Sequence, residues 1–424
     1  MLVAVTVTTV CAAPKDAAAE LSTIRWRGSS ARCIDLVIVA EGYTATQKGK
    51  FVEDADKIAE DVLDYGPYVA TAGLVNVHAL FVASEEPGAD HPSTGKYAKT
   101  AFDATYSTGG IKRLLTANSG KVLSAVTKEQ PDWDLALVLV NDEEYGGSGG
   151  AVPVVSVHAN ALAILRHELA HVVGGVADEY ESPYPGKKVE DPEPNVALKA
   201  NLTPLKWQHW VTEGTPIPTP DSAKSGDHDP IGAYEGARYL STGMYRPTPN
   251  CIMRELEVGF CPVCWEAVTT GLAKQVSAVG GGFPDASWVT CSRHGCPSLQ
   301  VDVSGMKGVE VRWLVDGKIA ADRHATWWYP GELSQGSHEI VAKVFHASSH
   351  IRKPSSGVFV GEWTWRMQVG PPQAVTGADA GDAATSPGDG CSGVSSPRNT
   401  SATWWLALCL AVGWIWRMRT CESR

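Results

Sequence analysis

Residues 160–180 read Asn-Ala-Leu-Ala-Ile-Leu-Arg-His-Glu-Leu-Ala-His-Val-Val-Gly-Gly-Val-Ala-Asp-Glu-Tyr. His167 and His171 are four positions apart, so a helix projects both imidazoles from one face, one turn above the other. Two neutral ring nitrogens so placed can reach a single Zn²⁺ at about 2.0–2.1 Å. Glu168 follows the first histidine and can lean towards a metal-bound water as its general base. Ala161, Leu162, Ala163, Ile164 and Leu165 lead in as an apolar, helix-compatible run, as a helix lying beneath a cleft requires. Gly174 and Gly175 then break the helix and bring Asp178 and Glu179 round, either of which can supply a third, anionic ligand. A bare H-E-x-x-H is only moderately specific. The apolar helix, the glycine pair and the reachable carboxylates make a zinc site the reading here.

The run from His167 to Tyr180, His-Glu-Leu-Ala-His-Val-Val-Gly-Gly-Val-Ala-Asp-Glu-Tyr, resembles the signature of the IgA peptidase family of bacterial zinc metallopeptidases. Tyr234-Glu-Gly-Ala-Arg-Tyr239, Gly243-Met-Tyr-Arg-Pro-Thr-Pro-Asn-Cys-Ile-Met-Arg254 and Phe260-Cys-Pro-Val-Cys264 resemble the same family, as does Asp35-Leu-Val-Ile-Val-Ala-Glu-Gly-Tyr43. The resemblance therefore runs over residues 33–275. It implies a zincin-like fold and one catalytic zinc on His167, His171 and Asp178, with Glu168 as base in peptide-bond hydrolysis. In metzincins the third ligand follows the second histidine by six residues, whereas Asp178 follows His171 by seven. The extra glycine of the Gly174-Gly175 pair can absorb that difference, and Glu179 stays open as the alternative. Met253 fits the methionine that forms an apolar floor under the metal, although an ordinary core role explains it as well. Tyr180 and Tyr245 are candidates to hydrogen-bond the tetrahedral oxyanion, or are structural. In zincins an edge strand just ahead of the metal helix pairs with extended substrate. By analogy residues 151–157 hold a peptide, or else close a Gly-rich hairpin. Larger relatives carry an extra N-terminal β domain, for which there is no room before Cys33. Nothing in the sequence encodes cleavage of an immunoglobulin hinge, so the expected substrate is an extracellular protein or peptide and no more.

The formal net charge of −11, without a basic cluster, argues against a nucleic-acid partner. Residues 1–19 read as a secretory signal, apolar and ending in small residues, although a basic start is missing. A lipobox at Cys11 fits poorly with Val10 before it. The ten cysteines suit an exported protein. Disulfides among Cys251, Cys261 and Cys264, and a small loop closed by Cys291 and Cys296, are the economical reading. Cys261-Pro-Val-Cys264 is otherwise half of a four-cysteine zinc site, for which no second C-x-x-C exists.

Around the metal helix the pattern is strand, turn and helix. Strands are predicted over 34–40, 75–83 and 134–141, with helices over 46–63 and 111–123. Residues 181–229 are rich in Pro, Asp and Lys and read as loops anchored by Trp207 and Trp210. Asp227-His228-Asp229 reads as a solvated turn. A structural Ca²⁺ is the alternative there, which nothing else supports.

Residues 295–370 alternate apolar and polar in short runs separated by turns, as an immunoglobulin- or fibronectin-like β-sandwich does. Residues 371–403 have the composition of a disordered linker. Residues 404–419 form a short apolar segment with tryptophans at both ends and arginines beyond, at the lower limit for crossing a bilayer. Cys391, the linker and this segment resemble the tripartite sorting tails of myxobacterial-type envelope proteins. That resemblance implies Cys391 as the processing or anchoring point.

The expected chain is thus α+β. A zincin-like metallopeptidase domain with a mixed sheet and an active-site helix occupies 20–285, a small β-sandwich follows, and a C-terminal membrane anchor closes the chain. It is expected to be a zinc endopeptidase, monomeric, exported and held at the cell envelope. The competing reading is a surface-anchored adhesin whose zincin fold only binds protein or glycan. A degenerate site usually loses its glutamate or a histidine, and here all are present.

Overall fold

A computed structural model of the chain describes residues 18–182, 191–221, 229–286, 288–291, 295–355 and 357–370. Residues 1–17 of the expected signal, Asp227, His228, Cys391, the linker and the tryptophan-rich terminal segment lie outside the described residues.

The fold is mixed α+β. Strands β1 (Glu20–Arg25), β2 (Ile34–Glu41), β3 (Val75–Phe81), β4 (Leu135–Val140), β5 (Gly147–Ser148) and β6 (Val154–Ser156) form one sheet, ordered β1-β3-β2-β4-β6-β5. The inner four are parallel, and β1 and β5 run antiparallel at the edges. Every residue of β2 and β3 is buried, which is why both read as nearly continuous apolar runs. The two-residue period still sorts their side chains. Leu36, Ile38 and Ala40 pack with α1 (Lys48–Leu63), while Val37 and Val39 pack on the other face with α2 (Ser119–Glu129). The helix predicted over 111–123 begins later than expected. Asn118 accepts the Lys121 amide at 3.2 Å and caps the helix there, leaving residues 111–117 without helix.

Strand β6 leads into α3 (Ala161–Gly174) but is not an edge, because β4 and β5 pair with it on both sides. The glycine-rich stretch is the hairpin of the two readings. Its outer strand β5 is itself bridged by Leu114 at Gly147. Helix α3 packs on α4 (Pro262–Ala273) so closely that a methyl group at Gly271 would overlap the Val173 carbonyl. Between them, β7 (Ala197–Leu198), β8 (Tyr234–Ala237) and β9 (Leu240–Arg246) form a small sheet, ordered β7-β9-β8. The loops before it are anchored by Trp207 and Trp210, both buried. Trp207 Nε1 donates to the Gly232 carbonyl at 2.7 Å.

Two further sheets follow. One holds β10 (Gly281–Phe283), β12 (Leu299–Asp302) and β15 (Trp327–Trp328). The other runs β11-β17-β16-β13-β14, from β11 (Trp288–Cys291), β13 (Val309–Val315), β14 (Lys318–His324), β16 (Gly336–His346) and β17 (Val358–Val369). Trp313 of β13 stacks on Trp328 of β15 at 5.5 Å and on Trp365 of β17 at 5.8 Å. The strands are not uniformly antiparallel, because β11 joins β17 in parallel. Cys291 and Cys296 form the expected disulfide, whereas Cys251, Cys261 and Cys264 are free. Among the described residues no helix is long and apolar enough to cross a membrane.

These sheets share one core with the rest of the fold, and Glu266 on α4 ties the two parts together. Its buried carboxylate receives His209 Nε2 at 2.6 Å, Trp210 Nε1 at 2.8 Å and the Lys353 amide at 2.8 Å. Burial opposes ionisation, but these donors outweigh it and hold the Glu266 pKa below its ordinary value. Glu266→Ala is expected to cost about 3 kcal/mol at neutral pH, because it leaves the buried Trp210 donor and the partly buried His209 and Lys353 bonds without their acceptor. A depressed carboxyl pKa stabilises above the unfolded value, about 4.3, and the gain is lost as pH falls through the folded value. The gap between wild type and variant in urea denaturation should therefore narrow in acid. A constant gap from pH 7 downwards would contradict this.

Candidate metal centre

Helix α3 is apolar apart from Arg166, His167, Glu168 and His171, and Leu165, Leu169, Ala170 and Val173 seat it in the core. Its end is set by Gly175, whose φ of 60° is left-handed and whose N–H bonds the His171 carbonyl at 3.1 Å. The chain reverses there and returns along the helix. This return brings Val176 and Asp178 to the histidines.

Both imidazoles are held by backbone carbonyls. His167 Nδ1 lies 2.9 Å from the Ile252 carbonyl, and His171 Nδ1 lies 2.6 Å from the Val176 carbonyl. A carbonyl only accepts, so each Nδ1 carries the proton and each Nε2 keeps its lone pair in the neutral ring. The two Nε2 atoms are 3.1 Å apart, and Asp178 Oδ1 lies 3.0 Å and 3.3 Å from them. Oδ1 is buried, and apart from these two rings no hydrogen-bond donor reaches it among the described residues. With both rings neutral, three acceptor atoms converge, and either a proton or a metal ion has to join them. In a tetrahedron with bonds of about 2.0 Å the edges are about 3.3 Å, so a zinc ion suits this triangle in size, donor type and charge.

Asp178 is fixed from its other side. Tyr239 donates its hydroxyl to Asp178 Oδ2, and the Arg238 amide bonds the Asp178 carbonyl at 2.9 Å. Burial works against charge on both His171 and Asp178, but each overcomes it through the other. In the metal-free chain Asp178 and Glu168 raise His171 to about 9, and the histidines hold the Asp178 carboxyl well below the usual range. Tyr239 carries no motif spacing of its own. It lies in the tight β8–β9 turn, and only its place in the Tyr234–Tyr239 run could have pointed to it.

Glu168 stands beside the triangle, with a carboxylate oxygen within 4.8 Å of the two ring nitrogens. That reach suits a water beside the ligands. Gly149, in the hairpin loop, abuts this carboxylate so closely that an added methyl would overlap it. Gly149→Ala is expected to push Glu168 aside and lower peptide hydrolysis about 10-fold or more while metal content is kept, as misplacement of a catalytic group does. Unchanged turnover would show that Glu168 tolerates the shift.

The other sequence candidates fall in different places. Glu179 turns away from the histidines towards the cysteines. Tyr180 packs edge-on against Tyr239 at 5.3 Å, beside Asp178, and burial and that carboxylate keep its phenol protonated. Tyr245 lies on β9 with its hydroxyl 3.3 Å from Glu235. Met253 is fully buried, and its carbonyl accepts the Glu179 amide at 2.7 Å.

The sequence model of the IgA peptidase M64 family matches this chain over residues 23–228 and 221–272, which include every residue of the centre. No curated protein matches the chain.

Proposed function

The chain belongs to the IgA peptidase M64 family, and on that premise we propose that it is a zinc-dependent endopeptidase acting on extracellular proteins or peptides. The convergence of His167 Nε2, His171 Nε2 and the buried Asp178 Oδ1 on one point carries this reading. A zinc ion held there supplies Lewis acidity that brings a water's pKa near 7 and polarises the scissile carbonyl. Glu168 takes the proton from the attacking water on its carboxylate and delivers it to the leaving amine. The Ile252 and Val176 carbonyls keep both imidazoles in the tautomer that presents Nε2. Tyr239 keeps Asp178 in place, and the Tyr180 phenol, kept protonated beside Asp178, is the donor assigned to the developing oxyanion in this reading.

Export to the cell envelope belongs to the same proposal. The Cys291–Cys296 disulfide suits an oxidising compartment, and the terminal apolar segment supplies the anchor. The test is the zinc content and casein hydrolysis of the purified chain beside His171→Ala. The expected result is casein cleavage by wild type that disappears in the variant together with about one zinc per chain. A wild-type chain with no zinc and no cleavage would overturn the proposal and leave a surface-binding protein.

A further inference from the structure

Three cysteines and a glutamate meet in the interior beyond Asp178. Cys261 caps α4, Cys264 lies in its first turn, and Cys251 precedes the Ile252–Met253 pair. Glu179 reaches them from the segment after α3. One donor atom from each, three Sγ and a carboxylate oxygen, all lie within 4.8 Å of one another. Each of the four residues is at most 5 % exposed, and the cysteines form no disulfide. We propose that Glu179, Cys251, Cys261 and Cys264 form a second metal site, separate from the histidine centre, for a thiophilic divalent cation of the zinc class.

The donor set is the first support. Cys261-Pro-Val-Cys264 has the two-residue spacing of structural zinc sites, and backbone amides point at the sulfurs of Cys261 and Cys251. The Cys264 amide lies 3.4 Å from Cys261 Sγ, and the Cys261 amide 3.3 Å from Cys251 Sγ. Such amides stabilise thiolates as outer-shell donors. With Zn–S bonds of about 2.3 Å the sulfurs of a tetrahedral site stand about 3.8 Å apart, inside the observed span.

The carboxylate is the second, independent support. Glu179 is fully buried, and its Oε1 receives Asn195 Nδ2 at 2.9 Å and Cys264 Sγ at 3.2 Å. Its Oε2 is buried and receives nothing. Arg254 and Arg246 are close, but Arg254 donates to the Glu179 backbone carbonyl and to Glu181, and Arg246 to the Glu235 and Gly236 carbonyls. A buried carboxylate with an orphan oxygen against three sulfurs is costly unless a cation joins them. A disulfide does not resolve this, because pairing any two of the cysteines leaves the third against the same carboxylate.

The site has a consequence for the histidine centre. The Glu179 amide donates to the Met253 carbonyl at 2.7 Å, and Ile252 supplies the carbonyl that orients His167. A cation joining Glu179 to Cys251 therefore clamps together the two segments that place Asp178 and His167. Glu179, Cys251, Cys261 and Cys264 are positioning residues in this respect and touch no substrate.

This inference does not rest on the peptidase reading, and one set of samples separates the two. Zinc is measured in the full-length wild type, in His171→Ala and in Cys264→Ser, and each is also loaded with Co²⁺. The expected result is about two zinc ions in wild type and about one in His171→Ala, with a near-ultraviolet thiolate-to-cobalt band in both. Cys264→Ser should lose that band. If Cys264→Ser does not fold, His171→Ala still decides, since its histidine centre is disabled. A His171→Ala chain that folds without zinc and gives no thiolate band overturns the second site. So does a disulfide between any two of Cys251, Cys261 and Cys264 in the unreduced wild type.

Discussion

Glu168→Gln is expected to leave the zinc content of the histidine centre unchanged and to lower kcat for peptide hydrolysis by about 10²–10⁴-fold, the usual contribution of a positioned acid–base group. The amide keeps the volume of the carboxylate, so it fits the same space against Gly149. It cannot take up a proton at neutral pH. The metal is spared because the Nε2–Nε2–Oδ1 triangle closes without Glu168. KM should move little, since the lost interaction belongs to the transition state. A variant that cleaves casein at the wild-type rate would remove Glu168 from the chemistry. One that loses its zinc would make Glu168 a ligand.

How far the site could be read in the sequence follows from how local each interaction is. His167, Glu168 and His171 lie within five residues, on a helix whose apolar run and glycine stop are sequence features. Asp178 against Glu179 was not decidable that way. Adjacent residues in a loop point in different directions, and their sorting depends on Tyr239, Asn195 and the cysteines, which arrive from other segments. The same holds for Cys261-Pro-Val-Cys264. A search for a second C-x-x-C fails because the remaining donors are a lone cysteine and a glutamate far along the chain. In the sheet, β2, β3 and β4 were plain from their continuous apolar runs. The two-residue strand β5 was not, and without it β6 reads as an edge. A helix start at Ile111 misses the cap at Asn118, because only the bond from the Lys121 amide to its side chain marks the true start.

Asp178→Ala is expected to release the zinc of the histidine centre and abolish peptide hydrolysis. Loss of an outer-shell partner already costs about 10–100-fold in metal affinity, and Asp178 contributes a ligand atom directly, so the loss should exceed about 100-fold. Asp178 also supplies the only anionic donor of the triangle, and without it two neutral imidazoles face the cation alone. A second signature separates this from simple unfolding. In the metal-free wild type Asp178 helps to raise His171 to about 9, so zinc must displace a proton from His171 at neutral pH. Apparent zinc affinity should then climb about tenfold per pH unit up to about 9 and level off above it. In Asp178→Ala the histidine loses its main raising partner, and that climb should end at a lower pH, on top of the weaker affinity. Calorimetric titration of zinc into the metal-stripped protein in buffers of different ionisation enthalpy reads the released protons, and the difference between wild type and Asp178→Ala isolates those of the histidine centre. If wild type and Asp178→Ala release the same number of protons at pH 8 and bind zinc equally well, Asp178 is not a ligand. The third position would then fall to another donor, and the histidine pair would have to hold its metal without the buried carboxylate oxygen that faces both rings.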